Sequence, residues 1–396
     1  MRQKKYVLME KIKRKKGGVE LYRIKAIRSF GDVKKGDFGG WVESEGNLSH
    51  DGNCWVYDNA CVYGYASIYQ DVQIRDKAKV HGKAVVNNKA VVKDNAEIYG
   101  NAKVRGEAIV QDNAKVYDNA DVYDKASISD KAEIYGDSEV YGCASINDKA
   151  EVCGDSQVYG NAELCDNSKV CNFAKVYDKA VIRGHAAVYD YAKVYGSAGV
   201  QGYTTICNEA EVYGSASISG NAQIYGSAKV HGCASVRGMA TVDANAEVRG
   251  ATEIYNSVTI TGNARIHGHS IITGDVSISG NAEVYGATIQ KSAKICGDAY
   301  IDSIRDFACV QGFGTENRLT TFFRQKDGTI GVKCGCFFGT IDEFEKEVLK
   351  KREGKIAEEY LHIVNLMRYH FGITKKLNKN ISLRSKIKLS INKIKY

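Results

Sequence analysis

The sequence predicts an all-β solenoid: a coil of hexapeptide repeats closed by a β-hairpin at one end and a small α+β unit at the other. Three observations carry this. An aliphatic residue recurs every six positions from Val56 to Val284, 39 times in phase, and all are Val or Ile except Leu164. Two residues before it stands a small residue, usually Ala, as at Ala60, Ala96, Ala114 and Ala222. Two residues after it stands Gly, Asp or Asn in 37 of the 39 units, with Gln70 and Ala244 as exceptions.

The first element, residues 1–49, reads as a cap. Lys5–Lys13 and Val19–Ile27 are strand-like, with Lys16-Gly17-Gly18 as the turn. The stretch Gly36-Asp37-Phe38-Gly39-Gly40-Trp41-Val42 leads into the first coil. A solenoid end exposes unpaired strand edges, so a cover is needed there.

The second element, residues 50–303, is the repeat. A period of six fits neither 3.6 nor 2. Within a unit, the residues flanking Val point outward and Val points inward, as in a three-residue strand. Gly, Asp and Asn tolerate the left-handed backbone conformation and read as a corner. If three units close one turn, positions 18 apart stack. The 16 tyrosines that follow the aliphatic position then sort into three faces as 2, 6 and 8. One face carries Tyr123, Tyr141, Tyr159, Tyr177, Tyr195 and Tyr213 without a break; a second carries Tyr99, Tyr117 and Tyr135. The preceding position alternates in sign at the same spacing, in Lys79, Glu97, Lys115, Glu133 and in Lys193, Glu211, Lys229, Glu247. An 18-residue coil gives about 13 coils, a rod of roughly 60 Å at about 4.8 Å per layer.

These repeats resemble the hexapeptide-repeat family. The resemblance implies a left-handed parallel β-helix; the general crossover rule for parallel strands would favour a right-handed turn, so the hand rests on the resemblance alone. The segment Leu21-Tyr22-Arg23-Ile24-Lys25-Ala26-Ile27, with Gly39-Gly40-Trp41-Val42 and Gly52-Asn53-Cys54-Trp55-Val56-Tyr57, is similar to the start of the YdcK-like proteins. These are bacterial hexapeptide-repeat proteins described as acyltransferases. The resemblance also implies a phage or mobile-element setting.

The third element, residues 304–372, is a second cap. After Val284 the register slips by one, to Ile289, Ile295 and Ile301, which marks the end of the coil. Phe322–Phe337 reads as a hairpin turning at Asp327-Gly328. Thr340 with Glu343 makes a capping box that opens a helix to about Lys351. A second helix from about Lys355 to Phe371 places Tyr360, Ile363, Val364, Met367 and Phe371 on one face. The last element, residues 373–396, is a basic tail with Lys375, Lys376, Lys379, Arg384, Lys386 and Lys388. It offers contacts to nucleic acid or an anionic membrane, although its composition favours a solvated end.

The chain has no proline among 396 residues, which suits an uninterrupted ladder. No apolar run is long enough to span a membrane, and no signal-peptide core follows Met1. With 12 scattered cysteines this indicates a reducing cytoplasm. Cys153 and Cys171 stack on adjacent coils, with Cys207 two coils further on. A bridge is sterically conceivable there, but the compartment favours free thiols. Cys334-Gly-Cys336 is a single Cys-x-Cys pair without the four ligands that zinc takes, so no metal is expected and both read as core cysteines. The net charge of +8 gathers at the two ends, leaving the coil mildly acidic.

Two functions follow. The first is a non-catalytic scaffold or binding rod. Its outward tyrosine ladder, Tyr123 to Tyr213, would present aromatic faces with polar tips to a protein or carbohydrate partner. Against this stands the plainer role of stacked tyrosines in joining coils, at under about 1 kcal/mol per pair. The second is implied by the resemblance: acyl transfer from acetyl-CoA or an acyl carrier, at a site between subunits of a trimer with a histidine as general base. His185, His231 and His267 are the candidates, yet none is flanked by a catalytic motif and no family residue can be carried over. The unbroken phasing also removes the projecting loop that would enclose a pantetheine arm, so the scaffold is the leading reading.

Overall fold

The computed structural model describes residues 3–373 except 17 and 315. The basic tail from Lys375 to Lys388 lies outside the described residues. Tyr6–Lys16 and Val19–Ala26 form an antiparallel hairpin. The strand Phe38–Val42 then serves as an adaptor. It runs antiparallel to the hairpin, with Tyr22 opposite Val42, and parallel to the first coil, with Trp41 opposite Cys61. This is how an antiparallel cap is joined to a parallel rod. The adaptor passes so close to the core that a Cβ on Gly40 would lie 2.7 Å from the Ala60 carbonyl oxygen. No side chain fits there. Lys5, fully buried, donates from Nζ to the carbonyls of Gly52 and Cys54, at 3.2 and 2.9 Å. Those carbonyls lie at the mouth of the coil, where no preceding turn meets them.

From Trp55 to Val248 every strand is two residues long. Pairing is parallel and in register at a spacing of 18, as in Lys79–Glu97–Lys115. The strands make three faces. The first begins with Trp55–Val56, the second with Cys61–Val62 and the third with Ser67–Ile68. The third face has 14 strands, ending at Tyr300–Ile301. The solenoid has about 14 turns of 18 residues. Outward N–H groups bond to the next coil, for example Lys79 N to Ala96 O at 2.9 Å and His81 N to Ile98 O at 2.9 Å. The Val/Ile column and its alanines are buried in one continuous core.

The corner residues adopt positive φ throughout. Asp130 has φ 57° and Gly136 φ 73°, and the two exceptions to the Gly/Asp/Asn rule, Gln70 and Ala244, do so as well at 68° and 59°. Aspartate at a corner adds a bond. The carboxylates of Asp58, Asp76, Asp94, Asp112, Asp130, Asp148 and Asp166 each accept from the backbone N–H one coil further on, at 2.9–3.4 Å.

The slip after Val284 does not break the coil. Ile272 pairs with Ile289, Ile278 with Ile295 and Val284 with Ile301. One residue is lost at a corner and the last coil, now 17 residues long, still closes. The far cap holds more sheet than a hairpin. Phe307–Val310, Thr320–Arg324, Ile330–Cys334 and Phe337–Thr340 form four antiparallel strands. Phe323 reaches into the solenoid core and plugs its end. Two helices cover this sheet: α1 (Ile341–Lys351) and α2 (Gly354–His370). The capping box forms, with Glu343 N donating to Thr340 Oγ1 at 3.3 Å and Thr340 N donating to Glu343 Oε2 at 2.8 Å. The buried Arg368 joins the helices by donating to Asp342 and Glu345, both at 2.6 Å.

Candidate functional site

The outward columns are the feature on which a function can be built. On the third face, Tyr123, Tyr141, Tyr159, Tyr177, Tyr195 and Tyr213 stack with centroids 4.8–4.9 Å apart and planes within 3°. His231 extends the stack at 4.5 Å from Tyr213, and the Arg105 guanidinium closes its other end 4.0 Å from the Tyr123 ring. The second face has a shorter stack of Tyr63, His81, Tyr99, Tyr117 and Tyr135. Each inner ring has a neighbour on both sides. The ladder therefore shows ring edges and hydroxyls to solvent, while the ring faces that would meet a sugar are largely taken. Burial between coils, with nearby carboxylates and phenols, pushes the phenols of Tyr123 and Tyr177 up to about 12.

A second pattern crosses the coils diagonally. The residue after the aliphatic position reaches the residue before it on the next coil, 16 positions on. Tyr117 donates to Glu133, Tyr135 to Glu151 and Tyr195 to Glu211, at 3.1–3.3 Å. His81 meets Glu97, His231 meets Glu247 and His267 meets Glu283, at 3.0–3.1 Å. Arg105 pairs with Asp121 and Arg237 with Glu253 in the same way. Burial alone would raise Glu97, Glu247 and Glu283. The bonds from histidine and the nearby cations outweigh it and hold all three below the usual carboxylate range. Reading the chain only at 18 misses these diagonals, though a His or Tyr followed 16 residues later by Glu is visible in the sequence.

The expected sign alternation holds in part. Lys79–Glu97, Lys115–Glu133 and Lys193–Glu211 are ion pairs at 3.5, 2.7 and 3.2 Å. Glu247 instead lies beside His231, Arg249 and Arg265. In-register neighbours also include Glu133 with Glu151 and Lys175 with Lys193, so alternation is not general.

The candidate histidines are not brought together. His231 and His267 lie two coils apart on the third face, and His185 stands at a corner, stacked 4.6 Å from Tyr203. A His–Glu pair can orient an imidazole for proton transfer, and two of the three candidates have one. The cysteine expectation needs correction. Cys153 and Cys171 form a disulfide across adjacent coils with Cα atoms 4.6 Å apart, because in-register positions on neighbouring strands meet the reach of that bond. Cys334 is a core residue as expected, but Cys336 is exposed at the hairpin turn.

Sequence reading also passed over an aromatic pair at the corner between the second and third faces. Phe173 and Tyr191 stack at 4.9 Å and are 46% and 58% exposed. A cleft of about 510 Å³ opens beside them on the third face, lined by Phe173, Lys175, Tyr191, Lys193, Glu209, Glu211, Ser227 and Lys229. A separate cavity of about 420 Å³ lies in the far cap between the Cys334–Cys336 turn, the end of α1 and Tyr360. Among the described residues there is no group of three His, Cys, Asp or Glu placed to hold a metal, and no helix is long and apolar enough to cross a membrane.

These features define a hexapeptide-repeat parallel β-solenoid. No family model matches the chain. Part of it is similar to a protein of Escherichia coli strain K12 named "Uncharacterized acetyltransferase YdcK", with 45% identity over 60 residues. The match spans 15% of this chain and 18% of that relative.

Proposed function

We propose that the chain works as a rigid, non-catalytic rod that presents its outer faces to a partner. The observation that supports this reading is the run of two-residue strands from Trp55 to Val248 with no inserted loop. An acyl donor needs walls around its pantetheine arm, and a flat face supplies none within one chain. The fixed spacing of side chains, about 4.8 Å from coil to coil, instead suits repeated weak contacts along an extended partner.

A second reading, acyl transfer from acetyl-CoA, draws on the partial likeness to a protein named an acetyltransferase and on the His231–Glu247 and His267–Glu283 pairs. It requires a second copy of the chain, as in a trimer, to wall the site. The two readings part in a turnover assay. The protein is incubated with acetyl-CoA and a mixture of amines and sugar alcohols, and free CoA thiol is followed. The rod reading expects release at the buffer rate. Turnover that disappears in His231→Ala or His267→Ala would establish transfer in its place.

A further inference from the structure

The corner pair Phe173 and Tyr191 departs from the repeat. Its column is otherwise mostly polar, with Asn101, Asn119, Asp137 and Asp155 before it and Glu209, Ser227, Asn245 and Asn263 after. Unlike the ladder, this stack is only two rings deep. The next residues in the column are Asp155 and Glu209, so no third ring lies on its outer faces.

The surroundings are dense in polar groups that differ in kind. On one side Asn172 and Asn208 both donate to Asp190, at 3.1 and 3.2 Å, which fixes that carboxylate beside the rings. On the other side lies the cleft of about 510 Å³. There Lys193 is tied to Glu211 at 3.2 Å, while among the described residues no carboxylate pairs with Lys175. Glu209 accepts from Ser227 at 3.1 Å. The lining carries three lysines against two glutamates, so its field has no single sign. A polyanion would run into Glu209, Glu211 and Asp190. A purely apolar ligand would cover the Lys175 ammonium without giving it a partner. A neutral ligand with an apolar face and many hydroxyls meets every requirement.

We infer that this corner is a binding site for a neutral hexose oligosaccharide. One sugar ring lies against the open face of Tyr191, which Phe173 backs from the other side, and hydroxyls of the oligosaccharide meet Lys175 and Glu209 along the cleft. This rests on the reading of the chain as a binding rod and moves the contact from the tyrosine ladder to the corner.

The test uses the full chain on an array of neutral and acidic oligosaccharides, followed by calorimetry with the best neutral binder. Phe173→Asn and Tyr191→Asn are suitable variants, because asparagine already occupies this column at Asn101, Asn119, Asn245 and Asn263. The expected result is binding to at least one neutral hexose chain, weakened by about tenfold or more in either variant, in line with loss of one aromatic contact. Tyr159→Phe, which keeps the ladder ring and removes its hydroxyl, should bind as the parent does. Binding to acidic glycans alone, no binding to any neutral chain, or unchanged affinity in both asparagine variants would overturn the inference. None of these outcomes touches the rod reading, which fails separately if acetyl-CoA is turned over.

Discussion

Ala244 is the clearest single-residue case of local cost in the coil. It holds φ 59° at a corner where the columns otherwise use Gly, Asp, Asn or Gln70. A left-handed alanine costs about 1 kcal/mol or more relative to glycine, and it lacks the side-chain acceptor that repays aspartate. Ala244→Gly should therefore stabilise the protein by about 1 kcal/mol in denaturant melts; an unchanged or lower midpoint would count against this account of the corners. At the same scale, Glu97, Glu247 and Glu283 are held below the usual carboxylate range. Depressed carboxylates contribute stability that is present above their unfolded value, about 4.3, and lost as pH falls through the folded value. The melting temperature should drop as pH falls below about 4. Replacing the three glutamates with Gln should lower stability at neutral pH and flatten that drop.

The tyrosine ladder belongs to the scale of the element. Its rings are joined face to face, and its hydroxyls reach diagonally to the next coil at Tyr195 and Glu211. Tyr159 has a ring on each side. Tyr159→Ser should cost about 1–2 kcal/mol, the sum of two cross-strand aromatic contacts. Hydrogen exchange should speed up in the coils holding Tyr141 and Tyr177 more than in those near Tyr63. Uniform exchange along the rod would mean that the backbone ladder alone carries the cohesion. The columns were legible in the sequence because their period is 18. The 16-residue diagonals are written there too, but a search at 18 passes over them, because they join the outward position after one aliphatic residue to the outward position before another. Phe173 and Tyr191 escaped for a related reason: they stand at a corner slot that strand periodicity does not single out. In the far cap, Phe307–Val310 and Phe337–Thr340 are four residues each. Strands that short carry too little alternation to be read before the sheet is seen. Cys153 and Cys171 were placed correctly by spacing, and it was the reasoning from compartment that pointed to free thiols.

At the scale of the whole molecule, the chain is a rod with two unlike ends. The Phe38–Val42 adaptor turns an antiparallel hairpin into a parallel coil, and Phe323 closes the other end under a four-stranded sheet and two helices. Both ends solve the same problem, the unpaired edge that a solenoid leaves open. Between them, nothing interrupts the two-residue strands as far as Val248. That regularity is what made the fold readable, and the proposal of a non-catalytic rod rests on it. The most direct test is calorimetry of the full chain with acetyl-CoA. A rod without a walled site should give no saturable heat at any concentration up to the millimolar range. Saturable binding, lost in His231→Ala or His267→Ala, would contradict it.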